Sequence, residues 1–391
     1  MSYILEDLLL EILIRLPSCR DAVRCRLVCR RWNSLISSPL FIQSFIRQQS
    51  LCSDSHLAML LFQKSYSELS TNGAQFSKIF PEKSKTFREH CLNFLPWNVI
   101  VRAYFDDLLL VSQPRNFRDF CICNPLTKKW HALPQAPLGI QEFYIRCGLV
   151  CLPSNNCSSK HYRYNVVVFG FDFPYYLLMP PVVTIFCSET AQWSKLVDFW
   201  LPSPDLFFHQ IAACNGILYS VASNEENGWG EGIVALNPFA DVVEKQFRFI
   251  SLPMDIDPTP PFDKFSYICV GTFQGRLRLS HLRKVNDSFG LKVWKLEDQN
   301  VGQTSSWSLV HNVVLAIGFP INEIYILALH PSNSNVVFLS WDDELLQYDI
   351  SQGKYQKLGI YPVKQVAPRL FAFPLMHYSW PTPVPVPALP L

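Results

Sequence analysis

Five aromatic residues, Trp130, Trp193, Phe247, Trp307 and Tyr355, recur at intervals of 63, 54, 60 and 48 residues. Each follows a polar turn and opens a short apolar stretch. The instances are Asn124-Pro-Leu-Thr-Lys-Lys-Trp130-His-Ala-Leu-Pro134, Ser188-Glu-Thr-Ala-Gln-Trp193-Ser-Lys-Leu196, Asn237-Pro-Phe leading to Phe247-Arg-Phe-Ile-Ser-Leu-Pro253, Ser305-Ser-Trp307-Ser-Leu-Val, and Ile350-Ser-Gln-Gly-Lys-Tyr355-Gln-Lys-Leu. One interval holds about one four-stranded sheet with its loops, and such sheets repeated along a chain are the blades of a β-propeller. The fold class expected is mainly β, a propeller of about six blades with five or seven open.

Local patterning after about residue 55 agrees. Gln210 to Val221 is two short runs hinged at Asn215-Gly216, the strongest short hairpin signal. Gly275 precedes Arg-Leu-Arg-Leu-Ser, with Leu277 and Leu279 on one face, while Leu291, Val293 and Lys295 alternate with Lys292, Trp294 and Leu296. Val336 to Ser340, the acidic tip Asp342-Asp343-Glu344 and Leu345 to Tyr348 read as a further hairpin. Proline (29 residues) outnumbers glycine (15), which suits short strands joined by proline-bearing loops.

Val166 to Phe186 runs 21 residues with Asp172 as its only charge, long enough for a membrane span. Pro174, Pro180 and Pro181 break any helix there, and the β-branched ends read as two buried strands. A net charge of +2 offers no electrostatic case for nucleic acid or a membrane surface. The thirteen cysteines, without a secretory leader, point to reduced thiols in cytoplasm or nucleus.

The first fifty residues have a different period. Leu8, Leu9, Ile12, Leu13 and Leu16 recur at helical spacing until Pro17, with Glu6 and Asp7 in the first turn, where acids suit the helix dipole. Ser18 and Asp21 have capping-box spacing for a second helix carrying Ala22, Val23, Cys25, Leu27 and Val28. A third runs from Cys29 to Ile36 with Trp32 and Leu35. Three short helices hold more apolar side chains than they can hide, so a partner surface is expected. Seven arginines (15, 20, 24, 26, 30, 31 and 47) against four acids suit an acidic partner or a solvated face.

The run Leu5-Glu-Asp-Leu-Leu-Leu-Glu-Ile-Leu-Ile-Arg-Leu-Pro17, with Arg26-Leu-Val-Cys-Arg-Arg-Trp32 and Leu-Ile-Ser-Ser-Pro39, resembles an F-box. The resemblance implies that Leu8, Leu9, Ile12, Leu13, Leu16, Pro17, Val28, Cys29 and Trp32 face or support the Skp-family adaptor of an SCF ubiquitin ligase, and through it the cullin scaffold. Ile4-Leu5 stands where the family has Leu-Pro, a departure expected to weaken docking. Cys123 to Pro134, Leu291 to Asp298 and Trp307 to His311 are similar to F-box-associated and kelch-like domains of plant F-box proteins, without the double glycine of true kelch repeats. The organisation implied is a helical module over 1–48, a linker and first strands over 49–94, a recognition domain for an unknown target protein over 95–375, and a Pro-rich tail over 376–391. The receptor itself would be non-catalytic.

Other constellations carry less. Cys121, Cys123, Cys147, Cys151 and Cys157 with His161 lack zinc-fold spacing and read as buried thiols; no metal or cofactor is expected. Phe199, Trp200, Phe207, Phe208, His209, Trp229 and Tyr267 read as blade packing before a ligand pocket. The tail Trp380 to Pro390 reads as polyproline II with a frayed exposed end, a proline-recognition ligand being the alternative. An enzyme or glycan-binding propeller would need Asp172, Asp198, Asp205 and Arg276 to converge at the central funnel. An adaptor-binding protein outside a ligase is the third alternative.

Overall fold

A computed structural model describes residues 6–17, 19–38, 40–42, 44–45, 48, 57–64, 77–79, 92–114, 116, 118–138, 144–153, 162–171, 182–196, 211–222, 232–240, 246–256, 268–285, 288–297, 306–316, 324–341, 344–360, 370–376 and 382–387. Three helices come first: α1 (Glu6–Ile14), α2 (Cys19–Cys25) and α3 (Arg30–Ser37). Pro17 lies just past α1, whose last turn tightens through bonds from Arg15 N to Ile12 O and Leu16 N to Leu13 O, each 3.3 Å. Ser18, Ile4 and Leu5 lie outside the described residues.

Strands β1 (Leu57–Lys64) and β2 (Ser77–Ile79) precede five antiparallel four-stranded sheets. Blade 1 is β3 (Ile100–Phe105), β4 (Leu108–Ser112), β5 (Phe120–Asn124) and β6 (Lys129–Ala132). Blade 2 is β7 (Tyr144–Pro153), β8 (Tyr162–Phe171), β9 (Val182–Cys187) and β10 (Gln192–Leu196). Blade 3 is β11 (Ile211–Cys214), β12 (Ile217–Ala222), β13 (Gly232–Leu236) and β14 (Phe247–Ser251). Blade 4 is β15 (Ile268–Phe273), β16 (Arg276–Val285), β17 (Ser288–Leu296) and β18 (Trp307–Val314). Blade 5 is β19 (Ile324–Leu329), β20 (Val336–Trp341), β21 (Glu344–Asp349) and β22 (Lys354–Ile360). The chain then returns as β23 (Leu370–Met376), which pairs with β1 in the order β2-β1-β23.

Among the described residues the complete blades therefore number five where about six are expected. The remaining place is taken by the three-stranded sheet, whose β23 touches the inner strands β19 and β3 of the blades on either side. Pairing of Leu57 with Met376 and Lys64 with Leu370 closes the ring.

Both faces of the blades are buried, so the core is a series of apolar slabs between sheets. In blade 1, Leu108, Leu110, Phe120 and Ile122 pack toward blade 2 with Cys147, Tyr164 and Phe186. Their neighbours Leu109, Val111, Cys121 and Cys123 pack on the opposite side with Phe373 and Leu375 of β23. Strand β17 is divided the same way: Leu291 and Val293 join the slab with blade 5, Trp294 and Leu296 the slab with blade 3. Val166 to Phe186 supplies β8 and β9 of blade 2, and no described helix is long and apolar enough to cross a membrane.

The five repeating aromatics all fall on the outermost strands β6, β10, β14, β18 and β22. Two of them tie neighbouring blades by a hydrogen bond: Trp193 Nε1 donates to the Pro134 carbonyl at 2.7 Å, and Trp307 Nε1 to the Ser251 carbonyl at 2.9 Å. The Asn215-Gly216 hinge is a two-residue hairpin with φ of 50° and 81°, the left-handed pair that a type I′ turn requires. Asn215 Nδ2 reaches the Gly275 carbonyl of the next blade at 2.8 Å.

Replacing Trp193 or Trp307 by Phe removes the indole donor and leaves an exposed carbonyl to water; each change is expected to cost about 0.5–1.5 kcal/mol in urea unfolding, and the two to add, being in separate contacts. His330 in blade 5 is neutral: its Nδ1 accepts from Ser332 N at 3.1 Å and Asn333 N at 3.0 Å, and burial lowers its pKa to about 4. Its folded pKa lies below its unfolded value, so its stabilising contribution, full above pH 6.5, should fade as pH drops toward 4. His330→Leu should flatten unfolding free energy against pH across that window.

Candidate functional site

The helical module builds its own core. Leu9, Leu13, Ala22, Ile36, Phe41 and Phe45 are its buried residues, with Leu16, Trp32 and Leu35 partly buried against them. Phe41 and Phe45 stack at 5.7 Å between centroids. Cys29 caps α3, its Sγ accepting from Trp32 N at 3.5 Å.

Apolar side chains remain outside that core. Leu8 is 52% exposed and Ile12 56%, one turn apart on α1. Leu27 at 87%, Val28 at 62% and Leu40 at 65% are exposed at the α2–α3 turn and beyond α3. Pro17 and Cys29 are exposed too. The nine residues singled out in the sequence thus divide: Leu9 and Leu13 are core, Leu16 and Trp32 lie at its margin, and Leu8, Ile12, Pro17, Val28 and Cys29 face outward. Leu27, Leu40 and Val23 (43% exposed) extend the outward set beyond the residues chosen from sequence. Their signal was the same excess of apolar residues over burial capacity. Exposed Arg24 and Arg30 lie in the same stretch of chain.

Where the inner strands converge, the ring has a small recess partly open to solvent. Tyr104, Asp106, Thr272, Leu329, Pro374 and Met376 are among its walls. Asp106 is its only charged lining residue among those described. Arg276 instead sits at the β15–β16 hairpin, 3.6 Å from Glu297, while Asp172, Asp198 and Asp205 lie outside the described residues. The aromatic cluster from Phe199 to Tyr267, with Cys157 and His161, also lies outside them. The convergence that an enzymatic or glycan-binding funnel needs is not provided by Arg276.

Cys121, Cys123, Cys147 and Cys151 are buried in strands. Desolvation pushes the Cys121 and Cys147 thiols up to about 12. Among the described residues no group of three or more His, Cys, Asp or Glu side chains could hold a metal ion. The tail differs from a frayed end: Thr382 is bonded to blade 1, Val384 packs on the slab between blades 1 and 2, and Pro385 is buried.

A compact helical module with outward apolar side chains, followed by a propeller ring, is the build of an F-box protein with a β-propeller. Residues 6–47 match the F-box-like family, and residues 88–360 match the family described as F-box protein At3g26010-like, beta-propeller. The chain belongs to this family of F-box β-propeller proteins. It is 24% identical over 351 residues to the putative F-box/kelch-repeat protein At1g15680 of Arabidopsis thaliana, covering 87% of this chain and 80% of that one. It is 25% identical to the Arabidopsis thaliana F-box protein At5g49610, over 79% of each chain.

The division of α1 into two faces has a direct consequence. Leu13→Ala should cost about 2–5 kcal/mol and melt the module. Ile12→Ala, on the exposed face, should stay within about 0.5 kcal/mol of wild type. Circular dichroism melts of the two variants give the comparison.

Proposed function

We propose that the chain is the substrate-recognition subunit of an SCF-type ubiquitin ligase, joining a Skp-family adaptor through its helices to a target protein held by the propeller. The observation that carries this reading is the exposed apolar set Leu8, Ile12, Leu27 and Val28 on a module whose core is already complete without them. Apolar surface of this kind, in so small a module, is stabilised by a partner that covers it. Leu9, Leu13, Leu16 and Trp32 act from beneath by fixing the helices, while Pro17, Val28 and Cys29 belong to the surface itself.

The mechanism is proximity. The adaptor links the chain to the cullin scaffold and its conjugating enzyme, and a target gripped by the ring presents its lysines at high effective concentration. The chain contributes rigid positioning and no reacting group. Its reduced, buried thiols suit the cytoplasm or nucleus.

Co-purification of the full chain with a Skp-family adaptor tests the reading. Ile12→Glu and Val28→Glu change exposed positions and should leave the fold intact while reducing capture at least tenfold. Leu13→Ala is unsuitable for this purpose because it damages the core. Failure of the wild-type chain to capture adaptor, or capture indifferent to both Glu changes, overturns the docking role.

A further inference from the structure

Thr382 is held by two buried polar side chains of blade 1. Its backbone N–H donates to Asp107 Oδ2 at 2.8 Å, and its carbonyl accepts from Asn124 Nδ2 at 2.8 Å. Asn124 Nδ2 donates to Asp107 Oδ2 at 2.8 Å as well, so the two gripping side chains fix each other. Asn124 Oδ1 is committed elsewhere, accepting from Leu126 N and Thr127 N in the β5–β6 turn.

Both groups are wholly buried, and Asp107 Oδ1 is a buried oxygen without a hydrogen-bond partner. Burial raises the Asp107 pKa, opposed by the bonds from Thr382 and Asn124. A permanent seam would be built more cheaply from apolar side chains, since an incompletely satisfied buried carboxylate costs free energy. What a polar pair adds is selectivity. It reads one residue that has a backbone N–H, in a described segment where its neighbours Pro383, Pro385 and Pro387 lack one. Two residues on, Val384 enters the apolar slab between blades 1 and 2. Backbone bonds at one residue and a side-chain pocket at the next but one are how proteins take extended peptide ligands.

We propose that Asp107 and Asn124 form a clamp for an extended peptide of the Pro-Thr-Pro-Val type, filled in the resting chain by its own tail and open to a partner protein of the same chemistry when the tail is displaced. The tether gives the tail the advantage of high effective concentration, which makes it a built-in competitor. This site does not depend on adaptor docking by the helices.

The test uses the full chain and a fluorescent peptide with the sequence of residues 380–391, read by polarisation. Thr382→Pro in the chain removes the N–H from the tethered tail. That variant should bind the peptide at least tenfold more tightly than wild type, and a peptide carrying the same Thr→Pro change should not bind. Asn124→Asp, which keeps the turn-capping oxygen but loses the donor, should abolish binding. Equal binding by wild type and Thr382→Pro, no binding by either, or equal binding of both peptides overturns the proposal. So does unfolding of the Thr382→Pro chain, which would make the tail a structural strap.

Discussion

The ring depends on burying both faces of each blade against its neighbours. No slab of this core belongs to one blade: Leu110 and Ile122 meet Tyr164 and Phe186, and Val167 and Phe169 meet Leu218 and Val234. A blade removed from the ring would expose two apolar faces, and a lone sheet of four short strands has nowhere to hide either. Stability is thus a property of the closed circle, and the indole bonds from Trp193 and Trp307 fix neighbouring blades at the rim rather than supply the main cohesion.

This double burial explains what could be read from the chain and what could not. Outer strands keep one wet side, so Trp130, Trp193, Phe247, Trp307 and Tyr355 stand out among polar neighbours and mark the repeat. Middle strands such as β4 and β5 read as unbroken apolar runs, because alternate residues enter different slabs. Asn215-Gly216 was legible because left-handed backbone demands particular residues. The closing sheet was not, since pairing of β1 with β23 leaves no short-range signature. Nor was the clamp, which turns an ordinary Asp106-Asp107 hairpin and a turn-capping Asn124 into a grip on a residue far along the chain.

The helical module shows the same limit at smaller scale. Helix α1 is apolar nearly all round, so spacing alone groups Leu8 and Ile12 with Leu9 and Leu13. Only the packing of Ala22, Ile36, Phe41 and Phe45 decides which pair is core. The family resemblance located the module, and tertiary contacts separated its scaffold from its surface.

Closure by β1 and β23 also sets an order of events during synthesis. The partner of β1 is made about 300 residues after it, so the first strand of the ring must wait for nearly the last. The helices need only residues from the first few dozen positions and can be assembled while the ribosome is still making blade 1. Throughout that interval the unfinished blades expose apolar faces at their growing end. The cell therefore carries a nascent chain whose helical module is folded before its ring is sealed.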